Sequence, residues 1–229
     1  MIDTALHFSG GKDSLACLYL NEHRWDEIYV VWLNTGSAYP EIVEYMSVWK
    51  EVLPHFVEIT SNQPKNIQDH GWPTDVVPVN NTELGRYITG SDAQLMQPYL
   101  SCCATNIWFP LHKGTVDLGV KKVIKGQRRC DGRKSAATSG TRFDGLEYEM
   151  PIEDWSDADV WSFLEEKKVV VPPGYALGEK TGRDCWDCTA FLDDDEKRIE
   201  NLPYKKKAEI KRRLGIIDAA VREQWRPVG

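Results

Sequence analysis

Ser9-Gly10-Gly11-Lys12-Asp13-Ser14 follows the apolar run Ala5-Leu6-His7-Phe8 and precedes Leu15-Ala16-Cys17-Leu18-Tyr19. The order is strand, glycine turn, helix. Two adjacent glycines permit a tight turn and let backbone approach an anion without a Cβ in the way. The helix that follows aims free N–H groups and the positive end of its dipole at the same spot. Ser9 and Ser14 add hydroxyl donors, Lys12 adds a charge, and Asp13 is placed to orient the loop or bind a phosphate-bridging Mg²⁺. The hexapeptide lacks the Gly-x-x-x-x-Gly-Lys-Ser/Thr of a Walker loop and the Gly-x-Gly-x-x-Gly of a dinucleotide fold. It reads as a different phosphate-binding turn, with an innocent turn as the alternative.

Outward from this loop, strands and helices alternate. Ile28–Leu33 is a second buried strand, and Pro40 opens a helix running to about Val52. Phe56–Ile59, Lys122–Lys125 and Glu147–Met150 read as further strands. The expected fold class is α/β: a mostly parallel, twisted, Rossmann-like sheet with helices on both faces, a cysteine-cluster region and a helical C-terminus. Residues 1–165 form the expected nucleotide-binding domain, and 166–229 a segment completing the cysteine cluster and a terminal helix. The stretch from about Ser61 to Ser101, with seven Gly and Pro residues, reads as a long excursion with little regular structure. Ser156-Asp157-Ala158-Asp159 fits a helix capping box ahead of Val160, Trp161, Phe163 and Leu164, and Val171-Pro172-Pro173-Gly174 ends that unit.

The chain has 229 residues and a net charge of −7, so no global basic field recruits polyanions or an acidic membrane surface. Lys205-Lys206-Lys207 and Lys211-Arg212-Arg213 are a local exception on an expected helix; they read as a solvated face or as a polyanion contact. No basic and apolar leader opens the sequence, and no apolar run is long enough to span a bilayer. The expected location is cytoplasmic, with no membrane partner. There the six cysteines point to metal or thiol chemistry before disulfides.

The hexapeptide resembles the PP-loop of ATP pyrophosphatases, which cleave ATP between the α and β phosphates. Three further stretches resemble one branch, the phosphoadenylyl-sulfate and adenylyl-sulfate reductase family. Asn34-Thr35-Gly36-Ser37-Ala38-Tyr39-Pro40-Glu41 is similar to its Asp-Thr-Gly-x-x-x-Pro-Glu. Gly126-Gln127-Arg128-Arg129-Cys130-Asp131 is similar to its Gly-x-Arg-Arg-x-Glu. Pro151-Ile152-Glu153-Asp154-Trp155, running on to Asp159-Val160-Trp161, is similar to its Pro-Leu-x-Asp-Trp…Asp-Val-Trp. The resemblance implies an enzyme binding ATP or a sulfonucleotide. Leu33, Asn34, Thr35 and Gly36 would line adenine and ribose, beside the loop Ser9 to Ser14 and Gly126. Arg128 and Arg129 would meet phosphate or sulfate oxygens, for which guanidinium forks are suited; surface salt bridging is their other reading. Lys12, Asp13, Arg128, Arg129 and Cys130 are the candidate catalytic set. Cys130 stands among cations that favour a thiolate, so it is a candidate nucleophile or persulfide carrier; otherwise it is an unreactive loop thiol. Cys17 reads as core.

Cys102-Cys103 and Cys185-Trp186-Asp187-Cys188 lie 81 residues apart. Four thiolates in two pairs suit one tetrahedral zinc or one iron–sulfur cubane; plain thiols or disulfides are the remaining reading. The arrangement is similar to the [4Fe–4S] motif of adenylyl-sulfate reductases, and the resemblance implies that cluster, with zinc as the alternative.

Two departures from the family set the functional expectation. Its catalytic cysteine sits in a C-terminal Glu-Cys-Gly-Leu-His tail, whereas no cysteine follows Cys188 in this sequence. Its phosphate loop is degenerate, whereas this one keeps the full Ser-Gly-Gly-Lys-Asp-Ser. Asn106-Ile107 also replaces the Arg-Lys found beside the reductase cluster. The first expectation is therefore ATP α–β cleavage with pyrophosphate release, coupled to sulfur transfer or nucleic-acid modification, with Mg²⁺ on the leaving group. The second is reduction of adenylyl sulfate or its 3′-phosphate through a non-standard thiol, with sulfite released. The third is a non-catalytic nucleotide-binding module. Expected partners are an adenine nucleotide, a thioredoxin-like or other sulfur or electron donor, and a nucleic-acid acceptor; a homo-oligomer is open.

Overall fold

The computed structural model describes residues 2–132, 136–180, 185–190 and 196–224. Strands β1 (Thr4–His7), β2 (Tyr29–Asn34), β3 (Phe56–Thr60), β6 (Lys122–Ile124), β7 (Arg142–Phe143) and β8 (Leu146–Glu149) form one sheet in the order β3-β2-β1-β6-β8-β7. All neighbours are parallel except β7, which pairs antiparallel with β8. The expected α/β fold is therefore present. The expected strands are all present, with boundaries shifted by a residue or two.

Side chains alternate across the pleat and so divide the core in two. On one face Leu6, Val30, Trp32 and Ile124 pack with Leu15, Ala16 and Leu18 of α1 (Lys12–Leu20), Ile42, Met46 and Trp49 of α2 (Pro40–Val52), and Val160 and Leu164 of α7 (Asp157–Glu166). On the other, Ala5, Val31, Val57, Ile59 and Val123 pack with Leu111 of α6 (Phe109–Asp117). Each fully buried Leu or Ile contributes about 1.5–3 kcal/mol. Pro40 occupies the first turn of α2, where its missing N–H costs no hydrogen bond. Ser156 and Asp159 form the expected capping box on α7, with Ser156 N donating to Asp159 Oδ2 at 2.7 Å and Asp159 N to Ser156 Oγ at 3.2 Å.

The excursion of residues 61–101 is more regular than its Gly and Pro content suggests. It holds α3 (Gln63–His70), β4 (Trp72–Thr74), α4 (Glu83–Thr89), β5 (Met96–Pro98) and the start of α5 (Tyr99–Cys103), with β4 and β5 paired in a second, parallel sheet. Pro64 lies in the first turn of α3, and Asn62 and Thr82 accept N–H groups at the starts of α3 and α4. Residues read as breakers thus serve as helix starts. From α5 the chain continues through a π-helical turn, Ala104–Trp108, into α6.

Beyond α7 come α8 (Pro173–Ala176), α9 (Glu196–Glu200) and α10 (Tyr204–Gln224). Ile199, Leu202 and Ile210 join the same core as Leu15 and Val160. Most of the basic run of α10 is paired with carboxylates of the same chain. Lys206 reaches Asp187 at 2.6 Å, Lys211 reaches Glu200 at 2.7 Å, and Arg212 and Arg213 each reach Glu209 at 2.8 Å. These contacts use charges that a polyanion would need. No helix among the described residues is long and apolar enough to cross a membrane.

Candidate nucleotide site

From β1 the sheet grows outward in two directions, through β2 and β3 and through β6 and β8. The carboxyl ends of β1 and β6 flank this reversal, where open α/β sheets form a ligand crevice. A cleft of about 370 Å³ lies there, lined by His7 to Ser9, Gly11, Asp13 and Ser14 around the loop, by Leu33 and Thr35 from β2 and its following turn, and by Lys125 to Gln127 after β6.

The loop needs its glycines for two different reasons. Gly10 has φ +77°, the left-handed region, and a Cβ there would lie 2.7 Å from Met46 Cε. Gly126 sits against the loop from β6: a Cβ would stand 2.6 Å from Asp13 C and 2.8 Å from Ser14 N. Ser14 Oγ donates to Gly11 O at 2.9 Å and lies 3.3 Å from Ser9 Oγ, which also accepts Gly11 N at 3.3 Å. The first turn of α1 has no side-chain cap at Gly11. Instead Lys12 N donates to the hydroxyl of Tyr175, 3.0 Å away on α8.

The charges beneath the loop are tightly paired. Lys12 is buried, with Nζ 3.0 Å from Asp13 and 2.8 Å from Asp157 at the start of α7. Arg128, also buried, reaches Asp13 and Asp131 at 3.1 Å and Asp157 at 3.2 Å. Burial raises the Asp13 carboxyl above its ordinary range, against the pull of Lys12 and Arg128. The hydrogen bond from Lys12, with help from Arg128, holds Asp157 below its ordinary range despite partial burial. Asp157 and Asp131 were not singled out in the sequence. Their signals are local: one is the first residue of a capped helix, the other closes the arginine loop.

The remaining expected residues divide. Leu33 and Thr35 line the cleft; Asn34 turns to Glu58 at 2.9 Å and accepts Gly36 N at 3.0 Å, which shapes the turn. Gly126 and Gln127 line the cleft, but Arg129 faces away, exposed, 2.6 Å from Asp154. Cys130 is exposed, its Sγ 3.6 Å from Trp155 O, and does not line the cleft. His7, Lys125 and Tyr175 line it without having been picked out. His7 Nε2 lies 2.9 Å from Thr115 Oγ1, which donates to Leu111 O, so His7 donates from Nε2. Burial, then Lys125 and His112, lower its pKa to about 3.

Cys102 and Cys185 contact two residues, Gln63 and Thr35, that are hydrogen-bonded to each other. Cys102 Sγ lies 3.8 Å from Gln63 Nε2 and 3.7 Å from Asn106 Nδ2, both N–H donors, and burial raises its thiol pKa. Cys185 Sγ donates to Thr35 Oγ1 at 3.3 Å, and Gln63 N donates to Thr35 O at 2.9 Å. The loop of Cys185 and Cys188 is held by Trp186 N donating to Ser37 O at 2.9 Å, and by buried Arg198 donating to the carbonyls of Cys185 and Cys188 at 3.4 Å. Among the described residues no three His, Cys, Asp or Glu side chains are gathered to hold a metal ion.

Residues 3–191 match the family model described as the phosphoadenosine phosphosulfate reductase domain. A phosphoadenosine 5′-phosphosulfate reductase of Xanthomonas oryzae is 23% identical over 182 residues, covering 77% of this chain and 67% of that protein. An adenosine 5′-phosphosulfate reductase of Burkholderia cepacia is 32% identical over 95 residues, 40% of this chain and 37% of that protein. An uncharacterized Methanocaldococcus jannaschii protein is 24% identical over 96% of this chain, which spans 50% of its length. Among solved structures, the phosphoadenylyl-sulfate reductase of Candida auris in its phosphate complex superposes with a TM-score of 0.56 at 15% identity, over 80% of this chain and 82% of that one. By sequence match over most of its length, and in keeping with its fold, the chain belongs to the phosphoadenosine phosphosulfate reductase domain family.

Proposed function

We propose that this protein cleaves ATP between the α and β phosphates, releases pyrophosphate, and couples the adenylated intermediate to sulfur transfer onto an acceptor. One observation carries the reading. The full Ser-Gly-Gly-Lys-Asp-Ser loop is seated at the switch point of the sheet, with Gly126 packed on its backbone and buried Lys12 and Arg128 beneath it. Ser9, Ser14 and the first-turn N–H groups of α1 bind phosphate oxygens. Lys12 and Arg128 leave Asp13 and Asp157 to meet charge developing on the leaving pyrophosphate, with Mg²⁺ supplied by the nucleotide. Leu33 and Thr35 support the adenosine end. Arg129 and Cys130 remain in the proposal as outer residues of the same loop, Cys130 as a persulfide carrier reachable from solvent.

Cys102, Cys103, Cys185 and Cys188 would hold a [4Fe–4S] cluster, or zinc. The fit is one of donor chemistry: two pairs of thiols, Cys102 beside Gln63 and Cys185 beside Thr35, with amide N–H donors already next to Cys102. A cluster supplies electron or sulfide chemistry next to the nucleotide. Residues 1–165 and 166–229 act in this reading as a nucleotide domain and a segment that completes the cysteine set. The sulfur or electron donor is a thioredoxin-like or persulfide protein.

A second reading, sulfonucleotide reduction, is favoured by the reductases among the relatives. Anaerobically purified protein with iron and sulfide quantified, incubated with [α-³²P]ATP and then with adenylyl sulfate, separates the two. AMP and pyrophosphate from ATP support the proposal. Sulfite from adenylyl sulfate with a dithiol, and no ATP turnover, replaces it with the second. Tight nucleotide binding without either product makes the protein a non-catalytic module.

A further inference from the structure

A second cleft, of about 960 Å³, adjoins the nucleotide cleft on the α6 face of the sheet, and the two share His7, Trp108, Leu111, Lys125 and Gln127. Its other walls include the rings of Tyr99, Phe109, Phe143 and Tyr148, with Asp144 and His112 beside them. Three of its rings are open to solvent, with Trp108 50%, Phe109 68% and Phe143 63% exposed. Exposed aromatics around a concavity are surface that a ligand, rather than the fold, covers. At the junction stands Lys125. Its Nζ lies 5.6 Å over the Tyr148 ring, and it forms no ion pair with any described residue. Burial lowers its pKa, the expected response of an ammonium that lacks a counter-ion. His112, which also lines the cleft, has its Nε2 3.0 Å from Asp144 Oδ2.

We propose that this cleft binds a small aromatic molecule carrying one anionic group, with its ring among Trp108, Phe109 and Phe143 and its anion on Lys125. The unpaired ammonium selects the charge, and the rings select a planar body. The net charge of −7, with Lys125 the one Lys or Arg lining the cleft among the described residues, favours a small molecule over a polynucleotide strand. As the site of the acceptor for the activated nucleotide, the cleft rests on the reading above; as an aromatic-anion site it does not.

The test titrates the full chain with 8-anilinonaphthalene-1-sulfonate, followed by fluorescence, with AMP binding measured separately by calorimetry. One saturable site is expected, occupied with or without AMP. Lys125→Met weakens it at least tenfold, Lys125→Arg restores most of the affinity, and Phe143→Ala weakens it severalfold while AMP still binds. A dye signal that follows Tyr87→Ser on the exposed face of α4, and not Lys125→Met, overturns the proposal by showing non-specific adsorption. Displacement of the dye by AMP overturns it too, because the clefts would then be one. AMP binding without dye binding leaves the nucleotide reading standing and ends this one. Dye binding of the expected kind without AMP binding sustains the cleft and ends the nucleotide reading.

Discussion

Gly126 offers the sharpest test of the loop, because its constraint comes from backbone atoms that have nowhere to go. An alanine Cβ would sit 2.6 Å from Asp13 C, 2.7 Å from Asp13 O and 2.8 Å from Ser14 N. Ordinary contact begins near 3.4 Å, so the Asp13–Ser14 peptide must retreat by about 0.8 Å, an overpacking of the kind that costs about 1–3 kcal/mol. For a chain of this size that lowers Tm by roughly 2–12 °C. A shift approaching 1 Å in groups that position a reacting phosphate costs turnover on the order of 100-fold. Gly126→Ala should therefore show a modestly lower melting temperature and AMP affinity reduced at least tenfold by calorimetry. Gly132→Ala is the control, since a Cβ at Gly132 meets nothing within 4 Å. A Gly126→Ala protein that binds AMP like the parent, or a Gly132→Ala protein equally impaired, would refute the close-packing argument.

Tyr175→Phe removes the hydroxyl that occupies Lys12 N at the start of α1. Freed for an anion, that N–H should raise pyrophosphate affinity about three- to tenfold, given about 1 kcal/mol for one hydrogen bond; weaker binding would make Tyr175 a ligand contact instead. His7 stays neutral in the fold because its pKa is lowered to about 3, whereas the unfolded chain takes up a proton below about 6.5. Its contribution to stability is thus whole above pH 6.5 and lost as pH falls toward 3. About 2 kcal/mol should disappear by pH 5. Urea titrations at pH 7 and pH 5 should show this loss shrinking in His7→Gln, and identical losses would sink the assignment. Gly215→Ala, within α10 and with open space at its Cβ, should stabilise by about 1 kcal/mol from helix propensity; a lower Tm would count against the placement of that helix.

The strands, the loop and the capping box were legible because each is written in a short stretch. Apolar β-branched runs give β2 and β3, two glycines between strand and helix give the PP-loop, and Ser156 with Asp159 gives the start of α7. The region from 61 to 101 is more regular than its sequence reads, because its prolines and asparagines mark helix starts as readily as loops, and only the paired strands β4 and β5 decide between those uses. The basic run of α10 reads as a solvated face or a polyanion contact, and only the fold shows that Asp187, Glu200 and Glu209 pair with much of it.

By itself, then, the sequence determined the fold class, the glycine turn between β1 and α1, the candidate cysteine set and the family likeness, since each depends on residues close together in the chain. Tertiary structure alone decided which residues meet. It set Gly126 on the Asp13 peptide, brought Asp157 and Asp131 to Lys12 and Arg128, turned Arg129 outward, put Tyr175 on the first turn of α1, and left Lys125 between two clefts with no ion pair among the described residues. These pairings join positions up to 163 residues apart. Sequence pattern has no term for them, because side-chain direction across a sheet edge is fixed only once the strands are ordered and in register.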